Sequence, residues 1–358
     1  MEKLKVGVLG CGKMGRVHAH WFSRHPMCEV TAFFNRTTSV AEEMAKQYPG
    51  SKVFESWQEL LCCADVDIVT LTTPQYERLQ QHKLALQNDK HVFCEKPIAM
   101  NIDECAEIID LSRNSKCKTF VDFQLVYHPV IIRINELIKK IGRIYYIDLD
   151  YSMYRAEVKW KHKLEAGGGV LRELGGHFID LLNLWLGEAD SVTGFNRITN
   201  SKREVEDLSI NIIEYSSGAV AKLTTHYLDR SKRTYQGKIF GEDGQIDFQF
   251  SSYDTSDSYV LYYDAAGKVS SELGNTSDIE QDLVYPGFFD CFKKMVDAFI
   301  FSIEHNKSLE YSLENECKTM GIINASYESQ RKRKIIKLPM HAFNISTLKE
   351  CFKTLFQM

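Results

Sequence analysis

No apolar run in this chain is long enough to cross a bilayer. The best stretch, residues 288–303, is broken by Asp290, Lys293, Lys294 and Asp297, which argues against a membrane-spanning protein. Excess basic charge is also missing: 44 Lys and Arg against 48 Asp and Glu leave a net charge of -4. That balance gives no electrostatic footprint for nucleic acid or an anionic membrane surface. The most basic run, residues 331–334, ends a predicted helix, where cations complement the helix dipole. The ten cysteines are scattered without zinc spacing, and Cys62 and Cys63 are adjacent rather than set apart as ligands. No metal is therefore expected, and reduced thiols in the cytoplasm are the simplest reading. There is no internal repeat and no low-complexity segment. A strand begins almost at once, so no secretory leader is expected. What remains is 358 residues, 44% hydrophobic and 26% charged, enough for two or three globular domains.

The most informative stretch lies at the start. Val6, Val8 and Leu9 form an apolar run without polar alternation, as in a strand buried on both faces. It runs into Gly10, Cys11, Gly12, Lys13, Met14 and Gly15, and an amphipathic segment with Val17, Trp21 and Phe22 follows. In a strand-turn-helix of this kind Gly10 makes the tight turn and Gly12 lets backbone approach a pyrophosphate. Gly15 lets the helix pack close to the strand, and the helix N-terminus offers N–H groups to the phosphates.

A second apolar strand, residues 29–34, ends in Asn35 and Arg36. An acidic residue at this point would bind the ribose 2'-OH of NAD. Here Arg36 can pair with a 2'-phosphate instead, which leans the reading towards NADP over NAD. If Arg36 stays in solvent, Asn35 alone bonds the ribose of either cofactor.

Further strands are expected at 52–54, 67–71, 91–94 and 119–124, alternating with helices at 39–47, 57–61, 77–88 and 102–114. That alternation specifies a parallel sheet with helices on both faces. Ligands bind such sheets at the carboxyl ends of the strands, so the Gly-rich turn, Asn35, Thr73 with Pro74, and Glu95 with Lys96 should line one edge. From residue 144 the pattern changes. Strands at 144–152, 191–197, 208–215, 219–225, 236–240 and 245–250 follow one another through short turns such as Ser216-Ser217-Gly218, which argues for a mainly antiparallel sheet. Helices are expected at 170–186, 287–305 and 313–331. Residues 343–358 form an amphipathic tail with Leu348, Phe352, Leu355 and Phe356 on one side.

Two sets of side chains carry the chemistry. In the helix that follows Gly167, Gly168 and Gly169, Glu173, His177 and Asp180 are spaced four and three apart, close to one face. A carboxylate one turn from an imidazole can orient it and raise its basicity, which suits a general base; a purely structural Glu and His pair has the same spacing. Lys96, between Glu95 and Pro97 at a strand's carboxyl end, can stabilise alkoxide character on a substrate oxygen.

Taken together, GCGKMG at 10–15, CEKP at 94–97, GGGVLRELGGHFID at 167–180 and FGEDGQIDF at 240–248 resemble the glucose-fructose oxidoreductase, inositol dehydrogenase and MocA (Gfo/Idh/MocA) family over about residues 1–335. The resemblance implies an α/β protein: a Rossmann dinucleotide-binding domain (1–122), then a substrate and oligomerisation domain with an open, mainly antiparallel sheet (123–340), then the tail (341–358). It implies a homodimer or homotetramer formed through that sheet. It also implies an NAD(P)-dependent oxidoreductase acting on a hydroxyl or carbonyl of a sugar, cyclitol or related polyol, with Lys96 and His177 as the family's lysine and histidine.

Two departures stand out. Glu173 replaces the family's usual aspartate, and Arg78 stands where members often carry histidine. Trp160 and Lys161 fall where many members have Trp-Arg. Tyr127 and His128, just after the strand that leaves the first domain, are weaker candidate substrate contacts, and a role as core or hinge residues would suit them equally. The alternatives are a non-catalytic dinucleotide-binding sensor on the same scaffold, and an enzyme for a non-sugar substrate such as a dihydrodiol or a linear tetrapyrrole.

Overall fold

The structure is a computed structural model, and it describes residues 2–155, 163–164, 169–231, 234–251, 258–271, 291–309 and 313–339. The expected tail, Trp160, Lys161, Gly167 and Gly168 lie outside the described residues. The chain divides into two compact units, 1–124 with 291–316, and 125–290 with 317–358.

The first unit alternates strand and helix as its sequence requires. Its elements are β1 (Leu4–Leu9), α1 (Lys13–Arg24), β2 (Cys28–Phe34), α2 (Thr38–Ala45), β3 (Lys52–Val53), α3 (Trp57–Cys62), β4 (Ile68–Leu71), α4 (Gln75–Gln87), β5 (His91–Glu95), α5 (Ile102–Arg113) and β6 (Thr119–Asp122). The six strands are parallel in the order β3-β2-β1-β4-β5-β6, which is the doubly wound dinucleotide-binding arrangement.

The second unit begins with a short 3-10 turn (Gln124–Tyr127) and α6 (Pro129–Ile138), a helix the sequence reading did not anticipate. It continues with β7 (Ile144–Ser152), α7 (Gly176–Leu186), β8 (Ala189–Arg197), β9 (Leu208–Tyr215), β10 (Val220–His226), β11 (Thr234–Gly241), β12 (Gly244–Phe250), β13 (Tyr259–Asp264) and β14 (Val269–Ser271). Late in the chain come α8 (Cys291–Glu304), α9 (Leu313–Lys332) and β15 (Ile336–Lys337). Nine strands form an open sheet in the order β14-β13-β12-β11-β7-β10-β9-β8-β15, antiparallel except where β7 pairs with β10. Along β9, Ser209, Asn211 and Ile213 are buried while Leu208, Ile210 and Ile212 on the opposite face are only half-covered, the period of two that a one-sided sheet imposes.

Residues 291–316 return to the first unit, a return that a linear division of the chain at 122 does not include. The reason is aromatic packing. Phe93 of β5 stacks on Phe120 of β6 with ring centroids 4.9 Å apart, and meets Phe22 of α1 edge-on at 5.4 Å. Phe299 of α8 completes the cluster at 5.5 Å from Phe93, and all four rings are buried. Offset and edge-to-face ring pairs of this kind add to the apolar area they hide.

Truncating Phe299 should therefore destabilise the parallel-sheet unit, although it is 206 residues distant in sequence from Phe93. Phe299→Ala is expected to cost about 3–5 kcal/mol. Urea unfolding followed through a probe in the first unit checks this; a variant as stable as the parent would separate α8 from that core.

Candidate active site

Two of the three glycines of the opening turn meet a steric requirement, and the third faces open space. Gly10 has φ +93°, and a Cβ there would lie 2.8 Å from Thr72 Oγ1. At Gly15 an added Cβ would come within 1.8 Å of the Gly10 carbonyl oxygen, so α1 can cross the end of β1 only without a side chain. Gly12, the residue before α1, is exposed, and a Cβ there would project into open space. That is the opening a pyrophosphate needs in front of a helix N-terminus. Thr72 secures the turn from β4, its hydroxyl donating to Leu9 O at 3.0 Å and Gly10 O at 2.6 Å. The residues present thus fit a dinucleotide, which would lie over the Gly12 opening. Cys11 is buried, and burial pushes its thiol up to about 12, so it stays neutral.

Asn35 has more to do than the sequence indicated. Its Oδ1 accepts from Cys11 N at 3.0 Å and its Nδ2 donates to Thr37 O at 3.0 Å, so it ties the end of β2 to the Gly-rich turn. Arg36 beside it is exposed, as are Gly12 and Lys13, while Met14 is half-buried. Thr73 donates to Gln81 Oε1 at 2.5 Å, and Pro74 precedes α4 as its N-cap.

Lys96, half-buried, follows β5 in a loop whose Lys96–Pro97 bond is cis. The register of β5 with β6 sets Glu95 directly beside Asp122. His18 of α1 faces both carboxylates, its Nε2 at 3.4 Å from Glu95 Oε1 and 3.6 Å from Asp122 Oδ2. Neither His18 nor Asp122 was identified from the sequence. Two signals were available: each acid ends a strand of a parallel pair, and His18 lies one turn before the core residue Phe22.

Two buried carboxylates side by side cannot both ionise cheaply. Burial, then the neighbouring Glu95, raise the Asp122 pKa to about 7. Glu95 is held below the ordinary carboxylate range: burial opposes its charge, but His18, Arg78 and Lys96 outweigh that opposition. His18 resists charging through burial, yet the two acids hold its pKa above the usual value. The cluster thus shares protons among three groups. Its ligand atoms lie within 4.8 Å of one another, as a divalent ion would require, but Arg78 and Lys96 already supply cationic charge beside Glu95.

In the second unit the segment expected as one regular helix is divided. Leu171–Gly175 is a π-helical turn, and the α-helical part, α7, starts only at Gly176. Such turns re-aim side chains and recur at functional sites. Glu173 lies within it, half-buried, and His177 and Asp180 are buried on α7.

Glu173 is anchored by residues absent from the sequence reading. Arg155 Nη1 lies 2.9 Å from its Oε1, and the Tyr227 hydroxyl donates to Oε2. The guanidinium groups of Arg155 and Arg203 lie over the Tyr227 ring at 5.2 and 4.8 Å. Burial, then Glu173, push the Tyr227 pKa far up, so this phenol remains a donor. Upstream of the turn, Gly169 has no room for a Cβ, which would lie 2.2 Å from Glu206 Oε2. Glu206, raised to about 8 by burial, accepts from Leu171 N at 3.0 Å and Tyr327 Oη at 2.9 Å. His128 caps α6, its Nδ1 accepting from Val130 N at 3.3 Å, and stacks on Phe250 at 4.4 Å, which gives it a structural task; Tyr127 beside it is half-buried.

Comparison with known proteins gives the geometry a family. The description "Oxidoreductase family, NAD-binding Rossmann fold" matches residues 4–123, and "Oxidoreductase family, C-terminal alpha/beta domain" matches residues 135–338. The chain belongs to the Gfo/Idh/MocA family. It is an NAD(P)-dependent oxidoreductase of that family, with the family's parallel-sheet unit and mixed-sheet unit. Among its relatives, a D-xylose 1-dehydrogenase (NADP(+)) of Haloferax volcanii is 23% identical over 93% of this chain and 98% of the relative. A levoglucosan dehydrogenase of Pseudarthrobacter phenanthrenivorans is 23% identical over 71% and 75%. A solved structure of levoglucosan dehydrogenase with NADH and L-sorbose superposes with TM-score 0.85 at 19% identity, over 95% of this chain and all of that one. The last likeness is one of fold. Among the described residues, no helix is long and apolar enough to cross a membrane.

The shared protons make stability depend on pH in a definite direction. Asp122 has a folded pKa raised above its unfolded value of about 3.9, so its contribution is complete below that value and is lost as pH rises through about 7. Asp122→Asn removes this titration. The stability difference between Asp122→Asn and the parent should therefore move in favour of the variant between about pH 4 and pH 7, as read by urea unfolding at several pH values. A difference independent of pH would mean that Asp122 is ionised throughout.

Proposed function

We propose that this oxidoreductase is a cytoplasmic dehydrogenase of a sugar, cyclitol or related polyol that prefers NADP(H). Lys96 carries the reading: a half-buried lysine in the loop at the carboxyl end of β5, in the same strand-end series as the Gly-rich turn. A cation there stabilises an oxygen that gains alkoxide character as hydride leaves its carbon. His177 takes the hydroxyl proton, and Glu173, anchored by Arg155 and Tyr227, keeps negative charge in the turn that precedes it. The nicotinamide, when bound, supplies the hydride acceptor at C4. In the reverse direction His177 returns the proton to the carbonyl oxygen. The substrate class is supported by relatives named for xylose and levoglucosan.

Preference for NADP(H) is supported by the exposed Arg36 and the absence of an acidic residue at the end of β2. The half-covered face of the nine-stranded sheet, with Leu208, Ile210 and Ile212 of β9 and Val220 of β10, suits a second copy of the chain in a dimer or tetramer.

Lys96→Ala and His177→Ala should each lower kcat by at least about 100-fold while NADPH affinity stays near the parent's. Loss of cofactor affinity in step with turnover would make the two residues structural. Fluorescence titration with NADPH and NADH should show a preference for NADPH that collapses in Arg36→Ala; equal binding of both, untouched by the mutation, would assign the enzyme to NAD.

A further inference from the structure

Arg78 stands where the family often has histidine, and its guanidinium is spent entirely within the first unit. It lies in the first turns of α4 and is 6% exposed. Nε and Nη2 donate to the Thr73 carbonyl at 2.9 and 2.7 Å. Nη1 donates to the carbonyls of both Glu95 and Pro97. Those two carbonyls belong to the residues on either side of Lys96. The same loop is held again one residue later, where Ile98 N donates to Glu316 Oε1 at 2.9 Å. One planar cation therefore joins the end of β4 to the loop that follows β5, gripping the backbone before and after Lys96. A guanidinium has donors in a rigid fork that can serve three carbonyls at once; a lysine ammonium is a compact point donor on a flexible stem.

We infer that Arg78 is a positioning residue: by fixing the carbonyls of Glu95 and Pro97 it sets the direction of the Lys96 side chain, and so the turnover of the enzyme. The reaction it serves is the hydride transfer proposed above, and the inference rests on that reading. Arg78 touches neither cofactor nor substrate in this role. Its loss should leave binding intact and misplace the ammonium that must meet the substrate oxygen. Misplacement by about an ångström costs on the order of 100-fold in rate.

The test compares Arg78→Lys and Arg78→Ala with the parent in kcat, KM, NADPH affinity and amide exchange of the 95–98 loop. Both variants should lose about 100-fold in kcat with KM and NADPH affinity little changed. Exchange should rise in the loop and not in β1, and added guanidinium should restore turnover to Arg78→Ala. Parental kcat in Arg78→Lys overturns the inference, as does a fall in kcat matched by a fall in NADPH affinity without guanidinium rescue. If the parent itself oxidises no sugar or polyol, the dehydrogenase reading fails, and loop exchange decides the clamp: unchanged exchange in both Arg78 variants overturns it, and a local rise sustains it.

Discussion

The carboxyl end of β5 is held by buried charge, and the chemistry proposed for this protein depends on that restraint. His18 and Asp122 grip the Glu95 side chain, Arg78 grips its carbonyl and that of Pro97, and Glu316 takes the Ile98 amide. Each of these groups would be costly to bury alone. Together they exchange charge and protons within a small volume, so removing any one leaves the others uncompensated. The backbone on both sides of Lys96 is thus held by side chains from α1, β6, α4 and α9.

The second unit applies the same principle with different groups. Glu173 is held between Arg155 and Tyr227, and Tyr227 has two guanidinium groups over its ring. The buried Arg203 lies 3.5 Å from Asp207, which also accepts from Thr199 N at 2.6 Å and Asn200 N at 3.1 Å. The π-helical turn is thus surrounded by directional interactions, which is how an irregular backbone is kept in one conformation. A glutamate in place of aspartate brings its carboxylate further from the backbone, and here that carboxylate is met by an arginine and a phenol.

The two sheets were legible because period and punctuation are local properties. Apolar runs without alternation marked the parallel strands, strands following one another through short turns marked the other sheet, and Gly10 and Gly15 are needed for the steric reasons their spacing suggested. Partners distant in the chain were not legible. Nothing near Glu95 in sequence points to His18, 77 positions earlier, and nothing near Glu173 points to Tyr227, 54 positions later. Arg78 was visible as a departure, but its task could not be read, because carbonyls leave no mark in a sequence. The π-helical turn was hidden because its residues have ordinary helical spacing.

The return of α8 to the first unit bears on the order in which this protein can mature on the ribosome. When residue 124 has been joined, every strand of the parallel sheet exists, but the aromatic cluster on β5 and β6 still lacks Phe299. The sheet made first must wait, with apolar surface uncovered, while β7 to β14, eight strands of the other sheet, are synthesised. Chains are synthesised at about 5–20 residues per second, so that interval lasts on the order of ten seconds or more. A chain truncated anywhere before α8 would keep that aromatic surface uncovered for good.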